Sequence, residues 1–444
     1  MTDEKNNVAT DADAGLTRYE RYQKCLREKN VAPIENFLGK GKRYQDCIIL
    51  PNFYWSLLAW SLQRIIEREE WETVRKLGYR APEAIFVKVE VDYRKKELLL
   101  RDGQLLLQKG AVRLVVTAEI GPESSNSVSV EGLSKDRVKI NALVKSINTV
   151  GREENIYRGK QVQLGTRIKF LDIRPQSWDA IILNDRIKET IQKNSVGFLR
   201  KTALWKKLGI PTKRGLIFAG PPGCGKTLVC KAVMSDATSD ISVITTVPFR
   251  MADDGYLSNV FSLAADLGKA IIIIDDIECV ALSRDEFGNY GNPALLSLLV
   301  ELDGLESKSD CVVIATTNNI TSLDSAMSQR PSRFDVICHF ENPNLEERRL
   351  LLNNLCNKKI KIDEASRNYI AERTEGFSPA KLQETIWGLA IEFGESLAKI
   401  SPQKSDIDTI LTRLNTHKNQ RLGFSMPQER QPDLLTYVNK NKEK

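Results

Sequence analysis

The chain has 444 residues, of which 41% are hydrophobic and 28% charged, as in ordinary folded proteins and unlike disordered chains. At roughly 150 residues per domain, this length predicts about three domains. The net charge of +7 arises from 65 basic and 58 acidic residues, so composition alone indicates no dedicated nucleic-acid surface. Eight cysteines without Cys-x-x-Cys spacing and two histidines exclude a zinc cluster and favour reduced thiols in a cytoplasmic protein.

The N-terminal segment is not expected to be a secretory signal or a membrane anchor. Residues 1–15 are polar and acidic and predict a disordered tail. The apolar stretch 47–62 is interrupted by Pro51 and is shorter than the roughly 20 residues that span a bilayer. We therefore expect no integral membrane segment and predict a core helix after Pro51.

A β-rich region follows from residue 84. Apolar runs that predict short strands begin at Ile85, Glu97, Gln104 and Arg113. Turns are predicted at Arg101-Asp-Gly and Lys109-Gly, a helix over 136–150, and two further strands between 158 and 171. We assign residues 16–175 to an α+β N-terminal domain.

A glycine-rich loop separates an apolar strand at 215–219 from an apolar helical segment. Its sequence, Gly220-Pro-Pro-Gly-Cys-Gly-Lys226-Thr227, has the spacing G-x-x-x-x-G-K-T of a phosphate-binding loop. Glycines permit the backbone to wrap phosphates with N–H groups at a helix N-terminus. Lys226 is expected to reach the β- and γ-phosphates and Thr227 to hold Mg²⁺. The predicted nucleotide contacts are Gly220, Pro221, Pro222, Gly223, Cys224, Gly225, Lys226, Thr227 and Leu228.

Two later strands end in polar residues. The β-branched run 270–274 is typical of a central parallel strand, and it ends in Asp275 and Asp276. Ligands of open parallel sheets bind at the carboxyl ends of the strands. Asp275 is therefore expected to orient the Mg²⁺ shell, and Asp276 to polarise an attacking water. The next strand, 311–317, ends in Asn318, whose amide suits a hydrogen bond to that water or to the γ-phosphate.

In this order, and followed by Arg330-Pro-Ser-Arg333, these motifs resemble those of AAA-type ATPases of the AAA+ superfamily. The resemblance covers about residues 178–417. It implies a P-loop α/β module with a parallel sheet and a helical lid, ATP and Mg²⁺ as cofactors, and a homo-oligomeric, hexameric ring. By the same resemblance Arg330 and Arg333 match the arginine fingers that project into a neighbouring subunit's site. The alternative is a salt-bridged arginine pair within one chain.

The C-terminal part resembles the family's lid. Four helices are predicted between residues 345 and 417, after Asn342-Pro-Asn. Lys381 lies at the sensor-2 position, where it either contacts phosphate or faces solvent. The predicted domains are a tail at 1–15, the N-terminal domain at 16–175, the ATPase domain at 176–341, the lid at 342–417 and a tail at 418–444.

Three features depart from the family pattern. Most active relatives have Glu at the position of Asp276, so slow hydrolysis is one expectation. The loop 247–255 is shorter than the usual first pore loop and offers only Phe249 or Met251 as threading side chains. The N-terminal domain matches no module that we can name.

The sequence is interpreted as an ATP hydrolase that remodels or translocates a macromolecular client, with protein favoured. Two alternatives stay open. An ATPase that acts on nucleic acid is favoured by the net charge and by the basic run Arg94-Lys-Lys. A slowly hydrolysing, nucleotide-gated scaffold is favoured by Asp276.

Overall fold

The computed structural model describes residues 17–121, 125–247, 255–277, 310–318, 334–356, 360–393 and 402–416, together with single positions 250, 253, 298 and 301. The predicted arginine fingers Arg330 and Arg333, the pore-loop candidates Phe249 and Met251, and both predicted tails lie outside the described residues. The chain divides into two compact units, Met1–Glu341 and Asn342–Lys444.

The first unit begins with an antiparallel sheet in the order β1-β6-β5-β4-β2, with β3 also paired to β4. The predicted α+β character of this region is confirmed. The strands are β1 Arg43–Ile49, β2 Glu72–Leu77, β3 Ile85–Asp92, β4 Lys95–Lys109, β5 Val112–Glu119 and β6 Ser127–Leu133. The helices are α1 Arg18–Leu38, α2 Trp55–Arg68 and α3 Arg137–Glu153.

The turn predicted at Arg101-Asp-Gly is wrong, because β4 continues through it as one long strand. β3 pairs with the first half of β4 and β2 with the second half, while β5 pairs with residues 102–109 on the other side. The carboxylate of Asp102 also accepts the backbone N–H of Arg80 (2.9 Å). Hydrogen bonds from neighbouring strands therefore keep the chain extended where its local sequence favours a turn.

A second sheet of seven strands has the order β13-β9-β12-β11-β10-β7-β8, and all neighbours except β7 and β8 are parallel. The predicted α/β architecture with a parallel sheet is confirmed. Its strands are β7 Gln161–Leu164, β8 Ile168–Phe170, β9 Lys213–Ala219, β10 Ser242–Thr245, β11 Ala270–Ile274, β12 Cys311–Thr317 and β13 Val336–His339. The helices are α4 Asp185–Asn194, α5 Val196–Arg200, α6 Thr202–Lys207, α7 Lys226–Asp236 and α8 Tyr256–Leu267.

The sheet boundary differs from the predicted domain boundary. Residues 161–170, assigned from sequence to the N-terminal domain, form β7 and β8 at one edge of the parallel sheet. β7 pairs in parallel with β10, so that Gln161 lies opposite Val243. The backbone of β10 would otherwise have unpaired hydrogen-bonding groups on that side, and β7 satisfies them.

The central strand β11 is buried on both faces. Ile271 and Ile273 belong to the hydrophobic cluster that includes Val229 and Val233 of α7. Ile272 and its neighbours on the opposite face belong to a cluster that continues through α8 into α2 and α3 of the N-terminal domain. The N-terminal domain and the parallel sheet therefore share one hydrophobic core.

The second unit is helical, with its own buried core. The four helices predicted in this region are present. They are α9 Leu345–Cys356, α10 Glu364–Arg373, α11 Pro379–Phe393 and α12 Lys404–Thr416. Across the described part of both units, no helix combines the length and apolar character that crossing a bilayer requires.

A tight backbone contact fixes the start of β7. Gly159 has φ of +67°, and a Cβ at this position would lie 1.8 Å from the carbonyl oxygen of Ser239. We expect Gly159→Ala to lower the free energy of unfolding by about 1–3 kcal/mol more than Gly110→Ala, because overpacking adds to left-handed strain. Gly110 is the matched control, since its φ is +59° and a Cβ there would meet nothing within 4 Å.

Urea unfolding followed by circular dichroism measures both variants. Equal midpoints for Gly159→Ala and Gly110→Ala would show that the contact with Ser239 is unimportant for stability.

Candidate nucleotide-binding site

Strand register brings the predicted site residues to one edge of the parallel sheet. β12 lies between β9 and β11, with Thr317 opposite Ala219 and Ala315 opposite Ile274. The chain leaves these three strands at the same edge, because they run in parallel. Gly220, Asp275 and Asn318 each follow one of these strands and therefore lie close together.

The glycine-rich loop is shaped by positive φ angles. Gly220, Gly223 and Gly225 have φ of 155°, 81° and 90°. At Gly220 a Cβ would lie 1.9 Å from the carbonyl oxygen of Phe340, so no larger residue fits there. Helix α7 begins at Lys226, directly after Gly225, so its first N–H groups adjoin the loop. A helix N-terminus beside such a loop suits the binding of phosphate.

Lys226 is held at the centre of the loop. Its side chain is buried, and its Nζ donates to the carbonyl oxygens of Gly220 (2.6 Å) and Pro221 (3.0 Å). A third bond, to Oδ1 of Asn318 (2.8 Å), connects the loop to the end of β12. A buried ammonium group requires such oxygen partners, because the loss of hydration is costly. The loop lysine and the predicted sensor residue are thus in direct contact.

Thr227 and Asp275 form a pair of oxygen donors. Oγ1 of Thr227 donates to Oδ2 of Asp275 at 3.1 Å. Mg²⁺ prefers carboxylate and hydroxyl oxygens together with substrate phosphates. The donor set at this point therefore fits the predicted ion.

Asp276 has an unusual backbone conformation. Its φ is +50°, in the left-handed region that Asp adopts more readily than most residues. Its N–H donates to Oγ1 of Thr316 at 2.8 Å. Nδ2 of Asn318 lies 3.5 Å from Oδ1 of Asp276, and both side chains are exposed at the sheet edge. The two residues predicted to handle the attacking water are therefore neighbours.

Thr316 contacts both carboxylate residues and was not predicted from the sequence. Its hydroxyl donates to Oδ1 of Asp275 at 2.6 Å. The available signal was the twofold alternation of a strand, which places Thr316 and Asn318 on the same face of β12. That alternation identifies Thr316 as a site residue only when the register between β11 and β12 is known.

The remaining loop residues differ in exposure. Pro221, Pro222 and Gly223 are exposed, Leu228 is 38% exposed, and Cys224 is buried. Burial raises the pKa of the Cys224 thiol, an effect that the nearby Lys226 ammonium partly opposes. Cys224 is therefore a neutral packing residue of the loop.

Comparisons with known proteins show which family this chain belongs to. Residues 216–342 match the model of the ATPase family associated with various cellular activities (AAA). A proteasome-activating nucleotidase of Aeropyrum pernix is 30% identical over 290 residues, which cover 62% of this chain and 68% of that protein. The chain belongs to the AAA family of ATPases.

Other AAA relatives match over shorter parts. A proteasome-activating nucleotidase of Sulfurisphaera tokodaii is 30% identical over 53% of this chain and 63% of its own length. The ATP-dependent zinc metalloprotease FtsH of Mesoplasma florum is 35% identical over 48% of this chain and 33% of its own length. The chain thus spans less than two thirds of each of these two relatives.

The predicted sensor-2 lysine of this AAA protein has partners within the second unit. Nζ of Lys381 donates to Oδ1 of Asn415 at 2.7 Å and lies 3.9 Å from the ring centroid of Phe377. Its expected contact with phosphate stays a prediction, as do the roles of Arg330 and Arg333, which lie outside the described residues.

Lys226→Ala tests the phosphate site. We expect ATP affinity to fall by about one to two orders of magnitude, because each hydrogen bond from a charged group contributes about 1.5–3 kcal/mol. Lys231→Ala is the matched control, since Lys231 is an exposed residue of the same helix. Titration calorimetry with Mg²⁺-ATP measures affinity, and thermal unfolding checks the fold. Unchanged affinity in a folded Lys226→Ala protein would contradict the assignment of the site.

Proposed function

We propose that this AAA ATPase hydrolyses ATP with Mg²⁺ in a homo-oligomeric, hexameric ring and uses the energy to remodel or translocate a protein client. The observation that carries the proposal is the contact network at one sheet edge, where Lys226 bonds Asn318 and Thr227 bonds Asp275. AAA family membership supports ATP binding and hydrolysis at this network.

Each group in the network has a proposed role. Lys226 and the loop N–H groups bind and orient the phosphates, so that the γ-phosphate faces the ends of β11 and β12. Thr227 and Asp275 hold Mg²⁺, which when bound neutralises charge on the phosphates. Asp276 accepts a proton from the attacking water, and the Asn318 amide orients that water or the γ-phosphate.

A protein client is favoured over nucleic acid. The names of the relatives refer to a proteasome and to a metalloprotease, both of which act in protein breakdown. Each of the three side chains in the basic run that favoured nucleic acid has a carboxylate nearby, so the run is not an uninterrupted positive surface. The pairs are Arg94 with Asp172, Lys95 with Glu97, and Lys96 with Glu90. Steeply salt-dependent binding of DNA or RNA would contradict this choice of client.

Asp276→Asn tests the catalytic role. The variant keeps the contacts of Lys226, Thr227 and Asp275, so we expect ATP to bind normally while turnover falls by about 10² to 10⁴. Asp240→Asn is the control, because Asp240 is an exposed carboxylate in the loop before β10, whereas the network lies where the parallel strands end. Phosphate release measures turnover. If Asp276→Asn hydrolyses ATP at the parent rate, another group must position the water.

Asp276→Glu tests whether the aspartate limits the rate of hydrolysis, as the scaffold alternative requires. Residue 276 has a left-handed backbone, which Asp adopts more readily than Glu, so we expect glutamate to lower turnover. A rise in turnover would instead mean that Asp276 limits the rate of the parent protein.

Subunit mixing tests the arginine fingers. We expect Lys226→Ala and Arg333→Ala proteins to recover turnover when mixed, because a site with Lys226 can then face a neighbour with Arg333. The control mixes Lys226→Ala with the Lys226→Ala/Arg333→Ala double variant, which offers no complete site. If mixed rings of the first two proteins assemble but recover no turnover, the arginines act within their own subunit and not on the neighbouring site.

A further inference from the structure

Thr316 is a buried hydroxyl residue that contacts the carboxylate of Asp275 and the backbone N–H of Asp276. Its relative exposure is 0%, and it lies on β12 next to the end of β11. Because Ala315 pairs with Ile274, the next step of the parallel register sets Thr316 beside Asp275. A threonine hydroxyl at this position is therefore close to both the Asp275 carboxylate and the Asp276 amide.

The hydrogen bonds of Thr316 have a defined direction. A hydroxyl carries one hydrogen and can also accept. The backbone N–H of Asp276 donates to Oγ1 of Thr316 (2.8 Å), and the same Oγ1 donates its hydrogen to Oδ1 of Asp275 (2.6 Å). The second carboxylate oxygen of Asp275 accepts from Thr227. Each oxygen of the Asp275 carboxylate thus accepts a hydrogen bond from a threonine hydroxyl.

Thr316 also fixes the backbone that follows β11. The N–H of Ile277 donates to the carbonyl oxygen of Thr316 at 2.9 Å, next to the bond from the Asp276 N–H to its side chain. Between these two bonds Asp276 has φ of +50°, a conformation that persists only where surrounding contacts enforce it. The two N–H groups that bond to Thr316 flank the Cα of Asp276.

We propose that Thr316 is a positioning residue that gives the two adjacent carboxylates separate tasks. Its hydroxyl fixes Asp275 toward Thr227, and its hydrogen bond with the Asp276 amide holds the left-handed turn that directs Asp276 toward Asn318. The inference rests on the proposed function and deepens it, because it names the residue that positions the short side chain of Asp276 at the site.

Three variants test the role of the hydroxyl. Thr316→Val keeps the shape but removes both hydrogen bonds, and Thr316→Ser keeps the hydroxyl but removes the methyl group. Thr245→Val is the matched control, because Thr245 lies on the neighbouring strand β10 and its hydroxyl donates to the carbonyl oxygen of Val162 on β7 (3.4 Å). Thermal unfolding establishes that each variant is folded.

The first readout is the binding of a fluorescent ATP analogue at increasing Mg²⁺ concentration, which requires no turnover. We expect Thr316→Val to raise the Mg²⁺ concentration for half-maximal binding about tenfold, because Asp275 loses a charge-assisted hydrogen bond. The second readout is kcat, expected to fall by about tenfold or more. Thr316→Ser should stay within about threefold of the parent in both, and Thr245→Val should match the parent.

Several outcomes would overturn the inference. A folded Thr316→Val protein with the parent's Mg²⁺ dependence and kcat would show that the hydroxyl positions nothing. If Thr316→Val does not fold, a Thr316→Ser protein that loses tenfold in Mg²⁺ dependence would assign the effect to packing by the methyl group. Failure of the proposed function is distinguishable, because then the parent protein itself would show no Mg²⁺-dependent binding of the analogue.

Discussion

The hydrogen-bond register of three parallel strands is the constraint on which the site depends. β12 is paired on one side with β9 and on the other with β11. This arrangement fixes the phosphate loop, the end of β12 and the acidic end of β11 relative to one another through backbone bonds. A slip of one residue would reverse the face of every side chain on a strand.

The same sheet couples the site to the N-terminal domain. β11 is bonded to β10, and β10 is bonded to β7, which directly follows the N-terminal domain in the chain. On one face of the sheet, α8 packs into the core of that domain, and the hydroxyl of Tyr54 donates to Asp266 at 2.9 Å. A domain that shares its hydrophobic core with the sheet cannot move independently of the sheet without exposing apolar surface. A force that a client exerts on the N-terminal domain would therefore also be transmitted to the parallel sheet that contains β11.

The sequence predicts those parts of the site whose signals are local. Glycine spacing, a continuous β-branched run and carboxylates at its end identify the loop and the acidic edge without knowledge of the fold. Thr316 could not be found in this way, because its role follows from which residue lies opposite Asp275. The placement of β7 and the continuity of β4 depend likewise on pairing with distant strands, which local propensity does not encode. The arginines at 330 and 333 stay predictions.

Asp276 shows how side-chain length and backbone conformation are linked. An aspartate places its carboxylate one methylene closer to the backbone than a glutamate does, so its reach depends more strongly on φ. At φ of +50° the chain turns sharply after β11, and the carboxylate comes within 3.5 Å of the Asn318 amide. The left-handed conformation costs about 1–2 kcal/mol for a residue with a Cβ, less for Asp than for bulkier side chains. Hydrogen bonds to Thr316 offset that cost. The short acidic residue, its backbone and the threonine on the next strand are therefore best understood as one unit, in which a change of any member alters the other two.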